Sequence, residues 1–180
     1  RLQGDWSSDV CSSDLAAVLV MIVLGKRLSS KHVVGASLHL ARPPREVYEL
    51  ISDLEAWPTW CRNVQRVEKL PDRDGCPTVR MHMGRNRMVL KVTAADSPDH
   101  FAMTIDDEAQ FFGGVWEYRL NAEVNGTRLR LTEHGEVKPA LPRFLLRYVL
   151  DPAMYLRSHL RDVANRFGEP PQLSDVGRVS

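Results

Sequence analysis

The sequence predicts an α+β domain in which a curved antiparallel sheet of six to seven strands wraps a long C-terminal helix, with two short helices after the first strand. Three observations carry this. An early strand stops at Pro43-Pro44 and runs into a short amphipathic segment. A series of alternating stretches separated by Gly-, Asn- and Asp-containing turns follows. The last third of the chain spaces its apolar residues at helical intervals.

Taken in order, Ala36, Leu38 and Leu40 alternate with Ser37 and His39 as in a half-buried strand. Ala41-Arg42-Pro43-Pro44 ends it, because proline cannot donate to a ladder but suits a first helical turn. Val47, Leu50, Ile51 and Leu54 then share one helical stripe. Asp53 caps a second short turn that holds Trp57 and stops at Pro58. Strands are expected near Val64–Leu70, Thr78–Met83, Met88–Thr93 and Phe101–Asp107, and then around Trp116–Leu120 and Leu129–Leu131. The turns between them are Asp72–Gly75, Gly84–Arg87, Ser97–Asp99 and the hairpin dipeptide Asn125-Gly126. Leu141, Phe144, Leu145, Tyr148 and Val149 share a helical face, Asp151-Pro152 breaks it, and Tyr155, Leu156, Leu160, Val163, Ala164 and Phe167 resume it up to Gly168.

The N-terminus is set apart. Asp5–Leu15 resembles the in-frame translation of a sequencing-library adapter, so residues 1–15 are excluded from fold reasoning. Without their one arginine and three aspartates the formal charge of +1 becomes about +3. The uncharged run Leu15–Leu24 covers about half of a hydrocarbon core, and three roles fit it: part of a membrane anchor, a signal-peptide core, or a buried element. The basic residues Lys26, Arg27 and Lys31 favour the anchor, with the following domain on the cytoplasmic side. The expected organisation is thus 1–15 non-native, 16–32 anchor and linker, 33–169 one folded domain, and 170–180 a disordered tail.

Charged residues at 26% and hydrophobic ones at 43% fit one globular core. Scattered arginines leave no stripe for nucleic acid. Cys61 and Cys76 lack the spacing of a metal site; they read as reduced thiols, with a disulfide between them as the alternative.

The order of elements, the Ala41–Tyr48 segment, Asp53…Pro58-x-Trp60, Gly126-Thr127-Arg128 and Arg166-Phe167-Gly168-Glu169 resemble the START-related (SRPBCC) superfamily in its polyketide cyclase/dehydratase-like branch. The resemblance spans about Val33 to Glu169. It implies a helix-grip fold with an apolar pocket, in a superfamily that holds lipid carriers, hormone and quinone binders, and aromatic cyclases. Its motifs specify fold and leave activity open.

Alternation along the strands supplies candidate pocket residues independently: Met81, Met83, Met88, Leu90, Phe101, Met103, Trp116 and Tyr118 from the sheet. Phe144, Tyr148 and Tyr155 would face them from the helix, with Trp57 and Trp60 near the mouth. Glu133 follows Leu129 and Leu131 in phase and is the candidate acid/base, the competing role being an ion pair with Arg80, Arg85 or Arg87. Asp106-Asp107-Glu108 reads as a solvated strand end, His82 and His134 as surface residues, and His159 as the histidine placed to touch a ligand. Arg143 and Arg147 among apolar neighbours in 139–150 suggest an interfacial helix, the alternative being an ordinary helix start. The expected function is membrane-tethered binding or transport of a hydrophobic small molecule or lipid, without cofactor or metal. The alternatives are a cyclase/dehydratase-type enzyme and a cavity-free interaction module.

Overall fold

The computed structural model describes residues 12–107 and 109–179. The order of elements is helix α1 (Ser12–Lys26), strand β1 (Lys31–Leu40), helix α2 (Pro44–Ser52), a 3-10 turn (Leu54–Thr59), then strands β2 (Arg66–Arg73), β3 (Cys76–Met83), β4 (Asn86–Ser97), β5 (His100–Ile105), β6 (Phe112–Glu123) and β7 (Gly126–Val137). Helices α3 (Ala140–Tyr148) and α4 (Met154–Arg166) follow, and strand β8 (Gln172–Val179) closes the chain. The strands form one antiparallel sheet ordered β2-β3-β4-β5-β6-β7-β1-β8.

The sheet therefore has eight strands, one more than expected at most. The extra one comes from residues 172–179, which pair with β1 instead of forming a disordered tail. Pairing removes the open edge that β1 would otherwise present. Ser37 and Ser174 join the two strands, their hydroxyls 2.7 Å apart.

Helix α1 contains the apolar run and starts inside the adapter-like segment, the rest of which lies outside the described residues. It has 15 residues, and among the described residues no helix is long and apolar enough to cross a membrane. It packs against α3, so closely that a side chain at Gly25 would collide with the Ala140 carbonyl.

Two hairpins follow their turn chemistry. Asp74 and Gly75 have φ of 52° and 75°, as a primed turn requires, and Gly84 takes φ 61° at the first central position of the next. The Asn125-Gly126 hairpin differs by one residue. Glu123 pairs with Gly126, so Val124 and Asn125 form the loop and Gly126 opens β7. Gly126 has φ 143° and lies against the Leu40 carbonyl, where no Cβ fits. Close approach, not turn geometry, demands glycine there.

Three of the motifs behind the family resemblance, 41–48, 126–128 and 166–169, meet at this end of the sheet. Thr127 donates to the Arg42 carbonyl at 2.6 Å, and Glu169 accepts from the Ala41 amide at 2.8 Å. Arg42 pairs with Glu169 at 3.2 Å and stacks over the Phe167 ring. The end of β1, the start of β7 and the end of α4 are thereby latched together. The 3-10 turn is capped as expected, by the Asp53 side chain accepting from the Ala56 amide.

The core lies between the sheet and α4. Directly paired strand residues point to one face, so the register defines rows: Leu38–Leu129–Leu120, then Ala36–Leu131–Tyr118–Phe101. Leu156, Leu160, Val163 and Ala164 of α4 cover them, all fully buried. Val47 and Ile51 of α2 and Trp57 of the turn complete this cluster.

His159 is inside this core, 1% exposed, and not at a ligand surface. Its Nε2 is 3.1 Å from the Tyr118 hydroxyl and its Nδ1 3.6 Å from the Cys61 thiol. The rings of Trp57, Trp60 and Trp116 enclose it. One ring nitrogen donates and the other accepts, which suits a neutral imidazole. Burial pushes the His159 pKa down to about 3 and the Cys61 thiol up to about 11, and holds Tyr118 well above the phenol range. Cys61 and Cys76 are both free thiols.

Below pH 6.5 an unfolded chain protonates His159 while the folded one does not, down to about pH 3. Stability falls through that window by up to about 1.4 kcal/mol per pH unit from this residue. Thermal melts of a His159→Asn variant should therefore show a shallower acid limb than the parent, and parallel limbs would contradict the buried neutral imidazole. Gly126→Ala should cost about 2 kcal/mol or more in chemical denaturation, against about 1 kcal/mol for Gly75→Ala, whose added methyl meets open space. Equal losses would contradict the close approach at Leu40.

Candidate functional site

Beyond the start of α4, the sheet faces α3 and the segment that joins the two helices. A cavity of about 490 Å³ remains there, within the range of small-molecule sites. Met81, Met83, Met88, Leu90, Met103, Ile105 and Trp116 wall it from the sheet, and Trp57 from the 3-10 turn. Pro142, Leu145, Leu146 and Leu150 close it from α3 and the segment after it, and Tyr155 from α4. Phe111, 56% exposed, and Leu150, 51% exposed, stand where the cavity meets solvent. A second cleft of about 560 Å³ adjoins it under α3, sharing His32, Val137, Leu146 and Pro152 as a common wall.

The walls follow from local sequence. Of the residues that β3, β4 and β5 give the wall between positions 81 and 105, four are methionines, unbranched and flexible enough to leave an irregular surface. Asp151-Pro152 interrupts the helix, so α3 leaves the line of α4 and roofs the cavity. The Tyr155 hydroxyl donates to the Met83 sulfur at 3.5 Å. Burial, then the Cys61 and Glu133 charges, hold its pKa far above the usual phenol value, so it stays a donor at neutral pH.

Polar groups in the wall are few. Glu133 on β7 faces inward, and its carboxylate is 3.6 Å from Nε2 of His32 on β1. His32 replaces the expected arginines as its partner. Arg80 instead pairs with Glu68, because its alternate position on β3 points outward. Asn86 is the other polar residue at the rim. Asp106 of the acidic stretch pairs with Arg73, and Glu108 lies outside the described residues. On the outer face Glu117 takes Arg119 and His100 as partners, and His134 approaches it at 3.8 Å. Burial pushes the Glu117 pKa up, but the hydrogen bond and charge of Arg119, followed by those of His100, together outweigh it and hold the carboxyl below its usual range.

Of the candidate pocket residues, Trp57, Met81, Met83, Met88, Leu90, Met103, Trp116 and Tyr155 lie on the cavity wall. Five others do not. Phe101 and Tyr118 belong to the next row, sealed beneath α4, with ring centres 5.8 Å apart. Trp60 packs against Trp57 and His159 behind the wall, and Trp57 itself is 1% exposed, so neither marks the mouth. Tyr148 is 61% exposed and Phe144 packs on it, because α3 is turned by one position from the expected face. The residues that α3 gives the cavity are Pro142, Leu145 and Leu146. His32 was overlooked, although extending the Ala36, Leu38 alternation back two steps places it inward.

Comparison with known proteins fits this geometry. A family model described as polyketide cyclase/dehydrase and lipid transport matches residues 31–166. No curated protein sequence matches the chain. Among solved structures, the di-domain ARO/CYC StfQ from the steffimycin biosynthetic pathway superposes with TM-score 0.61 at 16% identity, over 76% of this chain and 53% of that one. The chain thus spans about half the length of StfQ. A START superfamily protein from Mycobacterium smegmatis matches with TM-score 0.57 at 17% identity, over 76% of this chain and 94% of that one. The Zhui aromatase/cyclase from Streptomyces sp. R1128 matches with TM-score 0.52 at 20% identity, over 77% and 87%. At these identities the likeness is one of fold. Helix-grip architecture, cavity and family model agree: the chain belongs to the polyketide cyclase/dehydrase and lipid transport family.

Proposed function

We propose that this protein binds or carries a hydrophobic small molecule or lipid in the cavity beneath α3, and does so at a membrane surface. The observation that carries the binding role is the cavity itself, about 490 Å³ and walled mainly by methionine, leucine and aromatic side chains. Burying apolar ligand surface there supplies affinity at about 25 cal/mol per Å². That space weighs against a cavity-free interaction module.

The membrane component rests on α1 and α3. Leu19, Val20 and Val23 of α1 are exposed, as are Tyr148, Val149 and Leu150 at the end of α3 and Met154 after it. Lys26, Arg27 and Arg147 stand beside these apolar residues. An apolar face edged by cations suits the headgroup boundary of an anionic bilayer, with the helices lying along the surface. The ligand would then enter beside Leu150 without crossing water. The second reading, a cyclase/dehydratase-type enzyme, draws support from Glu133, a carboxylate in a mainly apolar wall.

Titration with the neutral apolar dye N-phenylnaphthylamine should show saturable binding, and Met88→Trp, which fills the cavity, should weaken it at least about tenfold. Undiminished binding in that variant would place the dye elsewhere. In co-sedimentation, vesicles of anionic phospholipid should retain the protein. A Leu19→Glu/Val23→Glu double variant should lose about tenfold in that affinity while keeping dye binding. Retention equal to the parent would remove α1 from the membrane contact. Turnover of an aromatic substrate that collapses in Glu133→Gln, with binding kept, would favour the enzyme.

A further inference from the structure

The row of the sheet that crosses the cavity reads Val34–Glu133–Trp116–Met103–Val92 from β1 to β4. Its only ionisable member is Glu133. The next row reads His32–Gly135–Gly114. Two of its three positions therefore have no side chain, and the imidazole of His32 occupies the vacated space. A Cβ at Gly135 would collide with Cε1 and Nε2 of His32 and come within 3.1 Å of the Glu133 carboxylate. Gly114 cannot carry one either, since it would strike the His134 carbonyl. The glycines thus form a cradle that lets a histidine and a carboxylate sit side by side on the cavity wall.

The two groups do not satisfy each other. Their separation of 3.6 Å exceeds hydrogen-bond length, and neither side chain makes a hydrogen bond among the described residues. The surroundings supply no donor at bonding distance: Tyr155 gives its proton to Met83, and Arg143 of α3 is engaged with the Leu28 and Lys138 carbonyls. The carboxylate, 24% exposed, is open to water, and an occupant of the cavity that displaces that water must supply a donor in its place. Trp57, Trp116, Phe112 and Tyr155 offer flat apolar surface to the rest of that occupant.

We propose that the His32–Glu133 pair, seated on Gly135, is the polar recognition site of the cavity, and that it selects ring-containing apolar ligands bearing a hydroxyl. Glu133 accepts a hydrogen bond from the hydroxyl, and the His32 imidazole N–H donates one to the same oxygen. This rests on the cavity being a ligand site, and it adds the class of ligand.

A matched pair of probes separates the two ideas: naphthol, which donates a hydrogen bond, and methoxynaphthalene, which does not. Calorimetry on the full chain should show naphthol bound about tenfold or more tightly than methoxynaphthalene. Glu133→Gln and Gly135→Ala, the second displacing the imidazole while keeping the carboxylate, should each shrink that preference several-fold. Equal binding of both probes to the parent, or an intact preference in both variants, overturns the recognition site and leaves the carrier reading standing. Binding of neither probe, nor of the apolar dye, overturns both.

Discussion

One helix cannot cover an eight-stranded sheet, and this mismatch sets the rest of the structure. Eight strands span about 34 Å at their usual spacing, whereas a 13-residue helix is about 20 Å long and about 10 Å wide. Helix α4 is therefore committed to two rows of the sheet, where Leu156, Leu160 and Val163 meet the leucines of β1, β6 and β7. What it cannot reach is left to α3, which the Asp151-Pro152 break swings away. The space under α3 is the cavity. A continuous helix would have kept α3 in line with α4.

The two ends of β7 do different work. At Gly126 and Thr127 the strand is locked to Leu40, Arg42 and, through Glu169, to the end of α4. At Glu133 and Gly135 it supplies the polar part of the cavity wall. Three of the four segments that carry the family resemblance therefore secure the architecture at a distance from the residues that would meet a ligand, and the fourth, 53–60, gives the cavity wall only Trp57. This explains why such motifs identify a fold so well and an activity so poorly. Between the two ends lies the His159–Tyr118–Cys61 network, hydrogen-bonding inside a ring of tryptophans. It fixes α4 on β6 and holds Trp116 and Tyr155 at the cavity's edge.

Much of this was legible in the sequence. Period-two alternation located the methionines of β3 and β5 and Trp116 on the inner face, because register leaves a strand residue only two directions. Alternation does not say how far a helix extends over that face, so Phe101 and Tyr118 could not be told from true wall residues. Helical phase is weaker still over nine residues rich in leucine, and α3 turned by one position exposes Tyr148 and brings Leu146 to the cavity. Strand β8 carries no strong alternation; an unpaired neighbour creates it. His32 escaped because its partner is set by register across β1 and β7, which local periodicity does not encode.

The central claim is that the space beneath α3 holds a molecule. Native mass spectrometry of the full chain, purified from cells without added ligand, tests it most directly. A reproducible extra mass that leaves on denaturation and belongs to an apolar compound is expected. A bare polypeptide mass, unchanged after incubation with lipid and quinone extracts, would contradict it.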